Sequence, residues 1–220
     1  MDRLELVGHL VNLSDMSNTA PATTIAQTGD YAEAVRYIDM AHASLQAEHF
    51  DFKYKWIDGS FVTIATTQDY AGPSSPAIQT WAKNRFFYNN EPLPCIEWED
   101  YVPDTSLENG EPDCVVILPN NKIRLVPTPN DVYSIAAEGW RENLIFTADA
   151  DEPLFHEDFH WLIVARALIM YGNFESAPEC KAQGEEIYNE LYPKYEQKYL
   201  ARREQMDGRS EAQDFQVRCE

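Results

Sequence analysis

Positive charge is scarce in this sequence. Its 220 residues carry 17 Lys and Arg against 37 Asp and Glu, a formal net charge of -20 with His neutral. Affinity for nucleic acid rests on neutralising phosphates with Lys and Arg, so a chain this acidic does not grip DNA or RNA over its whole surface, nor dock on an anionic membrane. Close cysteine pairs are missing too. Cys95, Cys114, Cys180 and Cys219 are scattered, with no C-x-x-C and no His beside them, which reads as a reduced chain rather than a disulfide scaffold or a zinc ribbon. The longest apolar run, Trp161 to Met170, is broken by Arg166 and is far too short to span a bilayer. The charged start Met1-Asp2-Arg3-Leu4-Glu5 leaves no room for a signal-peptide core. Gly-x-Ser-x-Gly, G-x-G-x-x-G and Walker-type loops are all absent, so no cofactor is implied. The chain reads as soluble. What it has in quantity is apolar and aromatic material, 44% and 12%, enough for a packed core and incompatible with global disorder.

The order of patterns along the chain predicts an α+β fold. Leu4, Val7, Leu10 and Val11 suit a short amphipathic helix, and Ser14 to Gly29, rich in Ser, Thr, Ala and Asn, reads as a linker. Asp30 and Glu33 look like a capping box for a helix whose stripe is Tyr31, Val35, Ile38, Ala41, His42 and Leu45, running to about His49. Residues 50–147 read as a mainly antiparallel β region. Phe50 to Ile57 and Phe61 to Thr67 are expected to pair around Asp58-Gly59, and Arg85 to Tyr88 with Leu93 to Trp98 around Asn89-Asn90. Cys114 to Leu118 and Lys122 to Val126 form the clearest hairpin, followed by strands over Val132 to Trp140 and Leu144 to Phe146. Pro153 reads as the first turn of a helix ended by Gly172, and Ser176-Ala177-Pro178-Glu179 as a capping box for a long last helix reaching about Arg203, bent at Pro193. The resulting organisation is an N-terminal segment and first bundle helix (1–49), an inserted β region (50–147), a helical pair completing the bundle (148–204) and a loose tail (205–220).

One motif points to chemistry. His156-Glu157-Asp158-Phe159-His160 matches H-E-x-x-H, which on a helix sets two imidazoles on one face for zinc, with the Glu acting on the bound water. A zinc-dependent hydrolase is therefore the alternative function. Against it, the motif falls three residues after Pro153, in a first helical turn, and Asp158 places a charge between the two His. The plainer reading is that Glu157 and Asp158 favour a helix N-terminus.

Two further patterns concern surfaces. No Lys or Arg occurs from Phe86 to Asn121, while Glu97, Glu99, Asp100 and Asp104 lie there with other acids. That is either a solvated acidic face or a surface that meets DNA without sticking to it. On the last helix Tyr188, Tyr192, Tyr195 and Tyr199 form one stripe, with Lys194, Lys198, Arg202 and Arg203 near its end. Large rings with polar tips suit an interface as well as a core.

The segment order resembles the head-to-tail adaptors of tailed phages, over roughly residues 30 to 205. The resemblance lies in the helix Tyr31 to Ala41, the aromatic Phe50-Asp51-Phe52, Thr67-Gln68-Asp69-Tyr70, Asn84 to Tyr88, Ile123 to Asn130 ahead of Val132-Tyr133, and Asp151 to Ile163 leading the final helical pair. It implies a non-enzymatic virion protein of the neck, assembled in the host cytoplasm, with about a dozen copies in a closed ring beneath the portal protein. Such a ring extends the DNA channel, lets double-stranded DNA slide past and offers a platform to the next tail or nozzle component. By the same resemblance, Tyr188, Tyr192, Tyr195, Tyr199, Arg202 and Arg203 are candidates for portal or subunit contact, and Glu97, Glu99, Asp100 and Asp104 for the channel wall.

Overall fold

The computed structural model describes residues 1–17, 19–103 and 108–200. Four helices make one part of it: α1 (Arg3–Ser14), α2 (Asp30–Ala47), α3 (Trp161–Phe174) and α4 (Pro178–Tyr199). The most apolar of them, α3, packs against each of the other three, and α1 joins the bundle as a full member through the buried Leu6, Val7, Leu10 and Val11. Its start is a capping box missed in the sequence: the Asp2 carboxylate accepts from the Glu5 amide, and the Glu5 carboxylate from the Asp2 amide. Where α3 and α4 cross, Gly184 is required. A methyl group there would stand 2.6 Å from the Ala165 carbonyl oxygen.

Several expected helix ends are corrected. Gly29, at φ 60°, precedes α2 without a side-chain cap, and Asp30 is already helical. Pro153 does not open α3; a 3-10 turn, Glu157–Phe159, intervenes and the helix begins at Trp161. Nor does Gly172 end it. That residue lies inside α3, where α4 passes so close that a methyl group would stand 2.7 Å from the Lys181 backbone nitrogen. Ser176 forms no capping box; it turns the chain at φ 56°, and α4 starts with Pro178 in its first turn.

The β region holds two sheets. The first contains β1 (Trp56–Asp58), β2 (Phe61–Val62), β4 (Ile78–Tyr88), β5 (Glu91–Pro92) and β9 (Ser134–Arg141) in the order β1-β9-β4-β5, with β2 also on β9. The second runs β3 (Asp69–Tyr70), β8 (Ile123–Val126), β7 (Cys114–Ile117), β6 (Cys95–Glu97). Their inner faces share one cluster of Trp81, Phe86, Ile135, Val115, Ile123 and Leu125. The hairpin across Asn120-Asn121 forms as read, with Ile117 opposite Ile123 and Asn121 at φ 60°. Asn89 and Asn90, both at positive φ, turn β4 into β5.

Three expected pairings are corrected. β1 and β2 do not pair with each other; both lie antiparallel on β9, with Trp56 opposite Trp140 and Phe61 opposite Ile135. The long partner β9, itself buried on its inner side, offers more ladder than a short hairpin would. Cys95–Glu97 leaves the β4 hairpin and pairs parallel with β7. Residues 144–146 form no strand, because Leu144 is held by a side chain: its amide donates to Gln46 Oε1 at 2.8 Å, and its carbonyl accepts from Gln46 Nε2 at 3.0 Å. The Gln46 backbone carbonyl also accepts from the buried Lys55 Nζ at 3.2 Å. One residue of α2 thus ties down both the entry to and the exit from the β region.

Candidate functional site

Around the H-E-x-x-H sequence the backbone is a 3-10 turn followed by a helix start, so the helical spacing that would put both imidazoles on one face is not met. His156 is exposed; its Nδ1 accepts from the Asp158 amide at 3.4 Å and stands 3.0 Å from the Asp158 carboxylate. His160 is 3% exposed and turned into the bundle, its Nε2 2.9 Å from the Phe155 carbonyl oxygen. Burial holds its pKa below the ordinary value. Among the described residues, no three His, Cys, Asp or Glu side chains come together as metal ligands would. The pair serves the fold: one caps a turn and one fills the core.

The tyrosine stripe of α4 is brought together as read, and most of it points into the protomer. Tyr188 and Tyr192 stack at 4.8 Å, and the ladder continues through Tyr195 to Tyr199, whose rings lie 5.2 Å apart. Tyr195 is 0% exposed and Tyr199 8%, so neither has a face left for a partner. Their hydroxyls are used internally, Tyr195 with the Tyr54 hydroxyl at 2.7 Å and Tyr199 accepting from the His156 amide at 2.8 Å. Arg166 pairs with Glu48, lies over the Tyr188 ring and donates to its hydroxyl at 2.9 Å. Burial raises the pKa of Tyr54, Tyr192 and Tyr195, and lifts Tyr188 to about 12; these phenols stay neutral and act as hydrogen-bonding struts. Only Tyr188 and Tyr192 keep partial exposure. Arg202 and Arg203 lie outside the described residues.

The acidic candidates sit in the other part of the molecule. Glu97 ends β6 and pairs with Lys83. Glu99 and Asp100 follow in an exposed 3-10 turn, Trp98–Asp100. Asp104 lies outside the described residues. Nearby, Glu91, Glu111 and Asp113 line a hollow of about 330 Å³ beside Tyr88, and the Glu111 carboxylate raises the Tyr88 pKa. Sequence reading assigned these acids to one stretch without foreseeing their convergence, which depends on β5 meeting the residues ahead of β7.

A second polar cluster was not anticipated. Arg3 is 6% exposed and grips Asp39 of α2 with two hydrogen bonds, at 3.1 and 2.6 Å, and Thr24 with a third at 3.1 Å. Asp149 accepts from Thr23 and twice from Thr24, which holds its pKa below the usual carboxylate value. The segment read as a linker is therefore fastened to α1, α2 and the chain leaving the β region. Its signal in the sequence was the Thr23-Thr24 pair, whose partners are too distant to infer.

These features define an α+β protein whose buried polar groups fasten helices and strands to one another and whose β region exposes Glu97, Glu99 and Asp100. The chain matches the SU10 adaptor protein family over residues 11–218 and belongs to it. It is a phage head-to-tail adaptor, a structural protein located in the virion. No curated protein matches the chain.

Proposed function

We propose that about a dozen copies of this chain close into a ring beneath the portal protein, prolong the DNA channel and present a docking platform to the next tail or nozzle component. Family membership over residues 11–218 carries this reading. Two properties of the chain support it. A net charge of -20 keeps passing double-stranded DNA from adhering, and the exposed Glu99 and Asp100, with Glu97 and Asp104, are our candidates for the channel-facing wall. The end of α4, with the partly exposed Tyr192 and the following Arg202 and Arg203, supplies the portal contact. No step of this role requires a catalytic group or a cofactor.

The test is truncation after Leu200, which leaves every described contact in place. The shortened chain is expected to fold with a cooperative thermal transition and to be lost from portal-containing particles. Normal incorporation of the truncated chain would refute the portal assignment. Native mass spectrometry of the full chain reads copy number directly.

A further inference from the structure

An antiparallel sheet with one face on the core ordinarily alternates apolar residues inward with polar ones outward. The first sheet breaks that rule on its outer side. Ile135, Ala137 and Phe86 point into the shared core, yet the opposite face carries Trp56, Val62, Ala136 and Phe87. The alternation continues past the strands into the adjoining turns with Ile64 and Val132. Trp56 is 50% exposed, Val62 58%, Ile64 65% and Val132 64%. Trp56, Phe87 and Ala136 border a shallow groove of about 280 Å³ on this face.

Charge singles the face out further. In a chain of net charge -20, residues 59–68 and 132–137 contain no charged side chain. The carboxylates that do reach the groove are engaged. Asp58 accepts from both the Ser60 amide and its hydroxyl, and Glu138 accepts from Trp56 Nε1 at 3.2 Å with Arg85 3.5 Å away. Ser134 and Ser60 are the other polar residues on this side, and a cluster of exposed large apolar side chains rimmed by polar ones marks an interaction surface. Repulsion between two copies of so acidic a chain is least where no free carboxylate lies.

We propose that the outer face of this sheet, from Trp56 to the Ile64–Val132 tip, is the surface on which a second copy of the same chain packs. The inference rests on the ring reading above and deepens it. A closed ring needs a heterologous contact, one patch meeting a different patch on the neighbour. A second apolar recess, of about 270 Å³ between α3 and α4, is lined by Ile169, Met170 and Tyr188 around an Arg166 already neutralised by Glu48. It can receive the apolar side chains of the tip, Ile64 and Val132, with the Asp131 carboxylate beside them held by the Val132 amide at 2.7 Å.

A photo-cross-linking residue at position 64 of the full chain tests this, with position 36, exposed on α2, as control. Irradiated at high concentration and in particles, position 64 is expected to yield covalent dimers of this chain mapping to α3 or α4, while position 36 does not. The double variant Val62→Asp, Ile64→Asp is expected to weaken self-association by roughly tenfold or more with unchanged melting temperature. Products joining position 64 to another virion protein, or no product at all, would overturn the proposal. So would assembly of the double variant as the parent does. The adaptor reading is judged separately, by whether the unmodified chain is found between head and tail in purified particles; its failure leaves the cross-link on the concentrated chain still decisive for this face.

Discussion

In the bundle, the centre is aromatic and polar-tipped: Tyr195 touches Phe52, Phe155 and Phe159 edge-on, and its hydroxyl meets that of Tyr54. In the β region the centre is formed by Val115, Ile123, Leu125 and Ile135 beside Trp81 and Phe86, and specificity comes from turns. Asn121 shows the second strategy. It adopts a left-handed conformation, its carbonyl accepts from Trp81 Nε1 and its side chain donates to the Ile78 carbonyl. The bundle is thus specified by paired aromatic side chains, and the β sandwich by a turn residue that is both locally constrained and bonded across the sheets, plus apolar filling.

Removing the aromatic strut is the most severe way to break that comparison. Tyr195→Ala is expected to cost about 3–5 kcal/mol, the usual range for deleting a buried aromatic ring, whereas Tyr195→Phe, losing only the hydroxyl pair, costs about 1 kcal/mol. Urea denaturation of both variants measures the difference; equal losses would show that the ring is not the main support.

Acid distinguishes the two regions next. His42 is 1% exposed, stacked on Phe146 at 3.9 Å, and burial holds its pKa down at about 4 against an ordinary 6.5. As pH falls through 6.5 the unfolded chain takes up this proton and the folded chain does not. The bundle therefore loses stability between pH 6.5 and about 4, by on the order of 3 kcal/mol; His160, shifted the same way, adds to the slope. In the β region Asp69 is held below its ordinary 3.8 by Arg124. Its contribution is intact above that value and is lost only as pH falls below it. Urea midpoints measured from pH 7 to 4 should fall with the His42 titration, and a His42→Gln variant should show a flatter profile.

Asn121→Ala sharpens the β side. A Cβ-bearing residue without the amide keeps the left-handed strain and loses the bond to Ile78, at a cost of about 1–2 kcal/mol. Thermal melting reads this, and a variant as stable as the parent would mean that the turn does not specify the hairpin. The smallest effect is expected on the outside of the bundle. Lys194 and Glu190 pair at 2.9 Å on an exposed face of α4, and Lys194→Ala should change stability by no more than about 0.5 kcal/mol.

Much of the bundle was legible because helical periodicity reports burial directly: of the stripe Tyr31, Val35, Ile38, Ala41, His42 and Leu45, all but the partly buried Tyr31 are buried. The Asn120-Asn121 hairpin was legible because positive φ restricts residue choice. Asp30 was read correctly as the place where α2 starts, though not as its cap, while Pro153 and Ser176 had the local chemistry of a helix start without being one: α3 begins at Trp161 and α4 at Pro178. The tyrosine stripe was visible as a period, yet only packing against Phe52, Tyr54 and Phe155 decided that Tyr195 and Tyr199 face inward. Likewise H-E-x-x-H was a spacing on a presumed helix, and the 3-10 turn removed that premise.

By itself the sequence determined the α+β order of segments, the acidic character, the turn positions and the family resemblance, because composition, period and glycine- or asparagine-dependent turns are local properties. Only the tertiary structure decided that β1 and β2 share β9, that Arg3 and Asp149 fasten the Thr23-Thr24 segment, and that Trp56, Val62, Ile64 and Val132 come to lie exposed on one side of the first sheet. Each of these depends on residues distant in sequence meeting in space, where burial and pairing outweigh local preference.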